Sequence, residues 1–128
     1  MKLLDSNIII YSAEPENQFL RELIEDNCPF VSIISKIEVL GYHKIKPAEK
    51  DYFNTFFLNA PIIEINHNII EKAISIRQAK KISLGDSLIA ATALIYDLEL
   101  NTRNTDDFKN IEGLKLLNPF ENTTPDIQ

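Results

Sequence analysis

The sequence predicts an α/β fold in which a mainly parallel, five-stranded sheet lies between layers of helices. Three observations lead to it. Five short apolar segments, at residues 3–4, 30–31, 61–65, 98–102 and 114–117, are separated mostly by stretches with helical spacing of apolar residues. The first, Leu3-Leu4, shows no polar alternation, as in a strand buried on both faces. The stretch from Ser83 to Tyr96 is apolar nearly all round and rich in alanine, which reads as a buried helix lying close to a sheet.

Taken in order, the first strand runs straight into Asp5, and a short helix follows from about Asn7 to Ser12. Asp5 or Ser6 is suited to cap that helix. Pro15, with acidic neighbours, fits the first turn of a second helix, whose apolar positions Phe19, Leu20, Leu23 and Ile24 share one face. Asn27-Cys28-Pro29 ends it, and Cys28 reads as a small buried hydrophobe. After the Phe30-Val31 strand, Ile33, Ile34, Ile37 and Leu40 form a helical stripe with Glu38 beside it, and Ser35-x-x-Glu38 matches a capping box. Pro47 to Leu58 is predicted helical, with Tyr52, Phe53, Phe56 and Phe57 as an aromatic face for the core or a partner.

The third strand, Pro61 to Ile65, precedes a helix from about His67 to Lys80 that Asn66 is placed to cap. Ser83-x-x-Asp86 is a second possible capping box, at the start of the alanine-rich helix. The fourth strand, Leu98 to Thr102, is followed by a polar, acidic loop from Arg103 to Phe108. The fifth, Leu114 to Leu117, stops at Asn118-Pro119. Residues 1–120 read as one domain and 121–128, which lack an apolar pattern, as a flexible C-terminal tail.

Composition narrows the function. The net charge of −6 argues against a binder that works by general phosphate neutralisation. A protein this acidic that handles nucleic acid needs a bound cation to bring positive charge to the contact. No apolar run approaches the roughly 20 residues that cross a bilayer. Asp5 interrupts any signal-peptide core, and the lone Cys28 forms no internal disulfide, so the expected location is cytoplasmic. His43 and His67 are isolated and lack metal-ligand spacing.

Four acidic positions share a context. Asp5 follows strand one, Glu38 lies on the helix after strand two, Asp86 opens the buried helix, and Asp107 or Asp106 follows strand four. Helices that follow parallel strands start at the carboxyl edge of the sheet, which brings Asp5, Glu38 and the Asp106/Asp107 loop to one edge. Asp86 joins them only if the preceding helix has carried the chain back. Each acid has a capping explanation. As a cluster they would repel one another unless a cation joined them, and an oxygen-only donor set suits Mg²⁺ or Mn²⁺.

These motifs resemble the PIN domain, in particular the VapC-type toxin ribonucleases of bacterial toxin–antitoxin pairs. The matching pieces are Leu4-Asp5-Ser6-Asn7-Ile8, Ser35-Lys36-Ile37-Glu38-Val39-Leu40-Gly41-Tyr42, Asp86-Ser87-Leu88-Ile89-Ala90-Ala91-Thr92-Ala93, and Thr102-Arg103-Asn104-Thr105-Asp106-Asp107-Phe108 with Leu117-Asn118-Pro119. They occur in family order over nearly the whole chain. The resemblance implies a five-stranded α/β/α sandwich and a metal-dependent endoribonuclease. It carries Asp5, Glu38 and Asp86 over as metal-site acids. At the fourth position many relatives have an acid where this chain has Asn104, so Asn104 would offer a neutral oxygen and Asp107 the charge. Ser6 stands where the family often has Thr and keeps the hydroxyl.

The resemblance further implies hydrolysis of RNA phosphodiester bonds with Mg²⁺ or Mn²⁺, a small antitoxin as partner, and a homodimer. Ser6, Lys36 and Arg103 are candidate substrate contacts, the two cations for flanking phosphates. Two rival readings stay open on the sequence. One is a degenerate PIN fold that binds without catalysis. The other is a Mg²⁺-dependent aspartate phosphoacceptor of receiver or haloacid-dehalogenase type, which wants an acidic pair where Asp5-Ser6-Asn7 supplies one acid.

Overall fold

Strand β1 (Lys2–Leu4) is the centre of the sheet, and its register decides where everything else lies. The structure is a computed structural model that describes residues 1–121. On one side of β1 lies β2 (Phe30–Ser32), with Leu3 opposite Phe30, and beyond it β3 (Ile62–Ile63). On the other lies β4 (Glu99–Asn101), with Leu3 opposite Leu100, and beyond it β5 (Lys115–Leu117). The order is β3-β2-β1-β4-β5 and every pairing is parallel. The strand sequence therefore reverses direction between β1 and β4, which is where open α/β sheets form a crevice at their carboxyl ends.

Because side chains alternate along a strand, Leu3 and Leu4 feed two different cores, and both are fully buried. Leu4 packs with Ile8 and Ile9 of α1 (Ser6–Ser12), Leu20 of α2 (Gln18–Asn27), Val39 of α3 (Ile33–Leu40), and Phe53 and Phe57 of α4 (Pro47–Asn59). Leu3 packs with Ile69, Ala73 and Ile76 of α5 (His67–Ala79) and with Ile89, Ala90 and Ala93 of α6 (Leu84–Tyr96). The result is the expected α/β/α sandwich. Among the described residues, no helix is long and apolar enough to cross a membrane.

Helices α5 and α6 form an antiparallel hairpin. Asn66, which caps α5 by accepting from Ile69 N, also donates to the Tyr96 hydroxyl at the far end of α6 (3.2 Å). The chain therefore climbs α5 to the carboxyl edge before α6 starts down, which brings Asp86 to the edge where Asp5 stands. Alanines at 90, 91 and 93 of α6, all buried, let the pair approach closely.

Several details differ from expectation. Cys28 is exposed: it ends α2 in the left-handed region, φ 44°, and the reversal turns its side chain outward. The cap of α3 is Ser32, whose hydroxyl accepts from Ile34 N, so Ser35-x-x-Glu38 is no capping box. Ile37 of the expected apolar stripe is 63 % exposed. Phe53 and Phe57 are core residues, leaving only Tyr52 and Phe56 half-buried on the aromatic face. The acidic loop contains a short helix, α7 (Thr105–Phe108), anchored by buried Phe108. The tail assigned to 121–128 lies, past Glu121, outside the described residues.

Candidate active site

Asp5 extends the ladder between β1 and β4 by one bond, its backbone N donating to Asn101 O (2.9 Å). The carboxylate is thereby fixed at the reversal point. It is only 4 % exposed and both its oxygens are used. Oδ1 accepts from Ser6 N (2.8 Å), and Oδ2 accepts from the Thr102 hydroxyl (2.8 Å). Thr102 Oγ1 in turn accepts from Asn104 N (3.0 Å), which ties the strand after Asp5's neighbour to the loop beyond it. Asp5, and not Ser6, is thus the cap of α1. Burial pushes its pKa up to about 6, with the negative charges of Asp86 and Glu38 adding to the rise and the Thr102 and Ser6 hydrogen bonds opposing it.

Ser6 is freed for another task. Its hydroxyl donates to Glu38 Oε1 (2.6 Å) and lies 2.9 Å from the buried Ser35 hydroxyl, one turn before Glu38 on α3. Opposite stands Gly85, at the start of α6. A Cβ on Gly85 would lie 2.6 Å from Glu38 Oε2, so the Glu38 carboxylate occupies space that only glycine leaves. Asp86 follows in the first turn of α6, whose cap Ser83 accepts from Asp86 N (3.1 Å). Partial burial raises the Asp86 pKa, the Ser83 side chain opposes the rise, and the charges of Asp107 and Glu38 add to it.

The fourth corner is α7. Asn104 sits at its N-cap position with no side-chain capping bond, leaving its amide uncommitted there. Asp107 N donates to Asn104 O (3.1 Å), and Lys80 at the end of α5 donates to the carbonyls of Asp107 (3.0 Å) and Lys109 (2.9 Å). Lys80 thus pins the short helix against the α5–α6 hairpin.

The outcome is one cleft of about 260 Å³, lined by Asp5, Glu38, Asp86 and Asp107 with Ser6, Asn7, Ile10 and Asn104. Four carboxylates from four separate chain segments meet there. Among the described residues no group of three or more His, Cys, Asp or Glu side chains is gathered tightly enough to hold an ion as it stands. Glu38 and Asp107 are exposed, with the rotamer freedom to close further. The donors fit a hard divalent cation: they are all oxygen, two are carboxylates held protonatable by burial and mutual repulsion, and Gly85 leaves room at Glu38.

Not every candidate reaches this cleft. Asp106 points away to an ion pair with Lys109 (3.7 Å). Lys36 is exposed on α3 and does not line the cleft. Arg103 lies just outside, its guanidinium over the rings of Phe120 (4.1 Å to the centroid) and Tyr11 (5.1 Å). His43 and His67 are exposed.

The PIN domain profile matches residues 2–114. The chain belongs to the PIN domain family. Solved structures agree. A toxin–antitoxin complex from Klebsiella pneumoniae contains a chain 31% identical, with a TM-score of 0.76, the match covering 93% of this chain and 98% of that one. FitAcB from Neisseria gonorrhoeae gives 22% identity and a TM-score of 0.76 over 94% of this chain and 99% of that one. DNA-bound VapBC from Salmonella typhimurium gives 20% and 0.80, over 91% and 98%. Comparison with curated protein sequences yields no match.

Membership of the PIN family removes the phosphoacceptor reading. It leaves three contributors to this PIN domain's cleft that the sequence did not single out: Thr102, Ser35 in its buried role, and Gly85. Thr102 is the first residue after β4 just as Asp5 is after β1, but the sequence places Thr102 within the fourth strand, so this equivalence shows only in the structure. Gly85 and Ser35 carried no signal, since each acts through a contact with a residue far away in the chain.

Proposed function

We propose that this PIN domain is a metal-dependent endoribonuclease, the toxin of a type II toxin–antitoxin pair, acting on single-stranded RNA in the cytoplasm. The observation that carries the reading is the meeting of Asp5, Glu38, Asp86 and Asp107 in one cleft at the sheet's reversal point. Asp5, Glu38, Asp86 and Asp107, with the neutral oxygen of Asn104, would hold Mg²⁺ or Mn²⁺. An ion held by these residues would supply Lewis acidity and positive charge for hydrolysis of a phosphodiester.

The chain's own residues prepare that chemistry. Asp5 is the fixed point, because strand geometry, Ser6 N and Thr102 leave its carboxylate one orientation. Ser6 and Gly85 hold Glu38 from opposite sides, one by a hydrogen bond and one by the room it leaves. Asn104 and Asp107 come from a turn whose position Lys80 fixes. Burial of Asp5 keeps water scarce on one side of the cleft, where charge–charge interactions gain strength. No histidine lines the cleft, so a carboxylate of the cleft would take the proton of the attacking water.

A small antitoxin protein is the proposed partner. In support, α2 and α4 leave an apolar groove of about 580 Å³ that includes Ile24, Pro29, Tyr52, Phe56 and Ala60, of the size and character for an amphipathic segment. Homodimer formation is proposed on the resemblance alone.

The test is cleavage of a labelled single-stranded RNA by purified protein. Cleavage with Mg²⁺ or Mn²⁺, loss of cleavage on adding chelator, and loss in Asp5→Asn support the reading. Metal-independent cleavage, or full activity in Asp5→Asn, overturns it. Cation binding without cleavage would instead identify a binding module.

A further inference from the structure

Four carboxylates make this cleft hostile to a polyanion, and a cation bound among them offsets charge only at the phosphate it touches. The phosphates on either side need their own partners. Among the described residues the basic side chains near this edge are few. Lys80 is committed to two backbone carbonyls, and Lys109 lies against Asp106.

Arg103 is placed differently. It sits between Thr102, which binds Asp5, and Asn104, which lines the cleft. Its guanidinium rests over Phe120 and beside Tyr11, and Phe120 is itself held edge-on by Tyr11 (5.4 Å) and Phe19 (5.2 Å). The Phe120 backbone is fixed as well, its N donating to Asn118 Oδ1 (2.9 Å) in the turn after β5. Tyr11 is the next residue on α1 after Ile10, a wall of the cleft.

Stacking uses the face of a guanidinium and leaves its N–H groups free in the plane, the geometry that grips a phosphate with two hydrogen bonds. Arg103 is exposed, and among the described residues it joins no ion pair.

We propose that Arg103, seated on Phe120 and Tyr11, is the subsite for a phosphate that flanks the scissile one in bound single-stranded RNA. The subsite rests on the ribonuclease reading and deepens it. It sets the side of the cleft along which the strand runs, and it separates Arg103 from Lys36, which has no comparable support.

The test is steady-state cleavage of an unstructured oligoribonucleotide with Mn²⁺ across a range of salt, for wild type, Arg103→Met and Phe120→Leu. Arg103→Met is expected to raise KM about tenfold, the size of one charge-assisted contact, with kcat changed far less. Its plot of log KM against log salt should be shallower by about 0.7, the loss of one phosphate contact on a single strand. Phe120→Leu should raise KM in the same direction by a smaller factor. A substrate series with a single uncharged methylphosphonate linkage, moved along the strand, needs no altered protein. One flanking position should raise KM for wild type about as much as Arg103→Met does, and should have no further effect on that variant. Cleavage by wild type with no sensitive flanking position, or Arg103→Met with unchanged KM and salt slope, overturns the subsite while leaving the ribonuclease reading intact. Absence of cleavage by wild type overturns both.

Discussion

Asp5 must be ionised to bind a cation, in a place where ionisation is unfavourable. Its pKa is raised from 3.8 to about 6, so between those values the folded state holds a proton that the unfolded state has released. Stability from this group is therefore greatest in acid, falls as pH rises through the window from about 4 to about 6, and levels off at its lowest above 6. The shift corresponds to a penalty on the order of 3 kcal/mol at pH 7. Asp5→Asn removes the charge and keeps an acceptor for Ser6 N, at the cost of the Thr102 bond. With chelator present it should be more stable than wild type at pH 7 by about 1–2 kcal/mol. The gap should close as pH falls toward 4, which thermal unfolding of both proteins at several pH values will read. Thr102→Val works in the opposite sense. It removes a bond that holds the Asp5 pKa down and should move the acid limb of the pH–rate profile to higher pH. An unmoved limb would show that Thr102 does not act on Asp5.

At the scale of elements, α3 and α6 face each other across Glu38, and Gly85 sets how near they come. Gly85→Ala places a methyl 2.6 Å from Glu38 Oε2. The exposed, flexible Glu38 carboxylate has to shift to make room, and on the proposal that Glu38 is a metal ligand Mn²⁺ affinity and cleavage should both fall, by about tenfold. Far-ultraviolet circular dichroism should stay unchanged, since alanine favours a helix. On the buried side of α6, Ala90→Leu overfills the contact with α5 and the sheet and should cost about 1–3 kcal/mol.

These elements were legible to different degrees. Helices α5 and α6 follow from apolar spacing and from caps Asn66 and Ser83, because both signals are local in sequence. The cap of α3 was misread for a physical reason: β2 passes into α3 with no connecting loop, so Ser32 serves as both strand end and cap. Ser35-x-x-Glu38 mimics a capping box, while Ser35 is buried against the Ser6 hydroxyl and Glu38 lines the cleft. Cys28 was misread because burial depends on the direction the chain turns, and a left-handed cysteine gives no warning in residue type. Asp5, Glu38 and Asp107 were legible by their place after strands, whereas the placement of Asp86 depends on the α5–α6 hairpin, which the sequence left open. The atoms that position them were not legible, because Thr102, Ser35 and Gly85 act across gaps of dozens of residues.

At the scale of the whole molecule, the parallel order β3-β2-β1-β4-β5 turns five short elements into one concave edge. Each acid comes from a different crossover, so the cleft exists only when the sandwich is complete. Phe108 links the two. It is buried in the α5–α6 core while Asp107 beside it lines the cleft. Phe108→Ala should therefore cost about 3–5 kcal/mol in urea unfolding and loosen the fourth corner of the site together with the fold. A cation that binds only the assembled cleft stabilises the entire domain, by about 2.7 kcal/mol at a hundred times its dissociation constant. The most direct measurement is titration of Mn²⁺ into the protein, followed by the electron paramagnetic resonance signal of the free ion, for wild type and Asp5→Asn. Loss of that signal with wild type, and its persistence with Asp5→Asn, is the predicted result. An equal signal for the two proteins, whether both bind or neither does, would contradict a cation site built on Asp5.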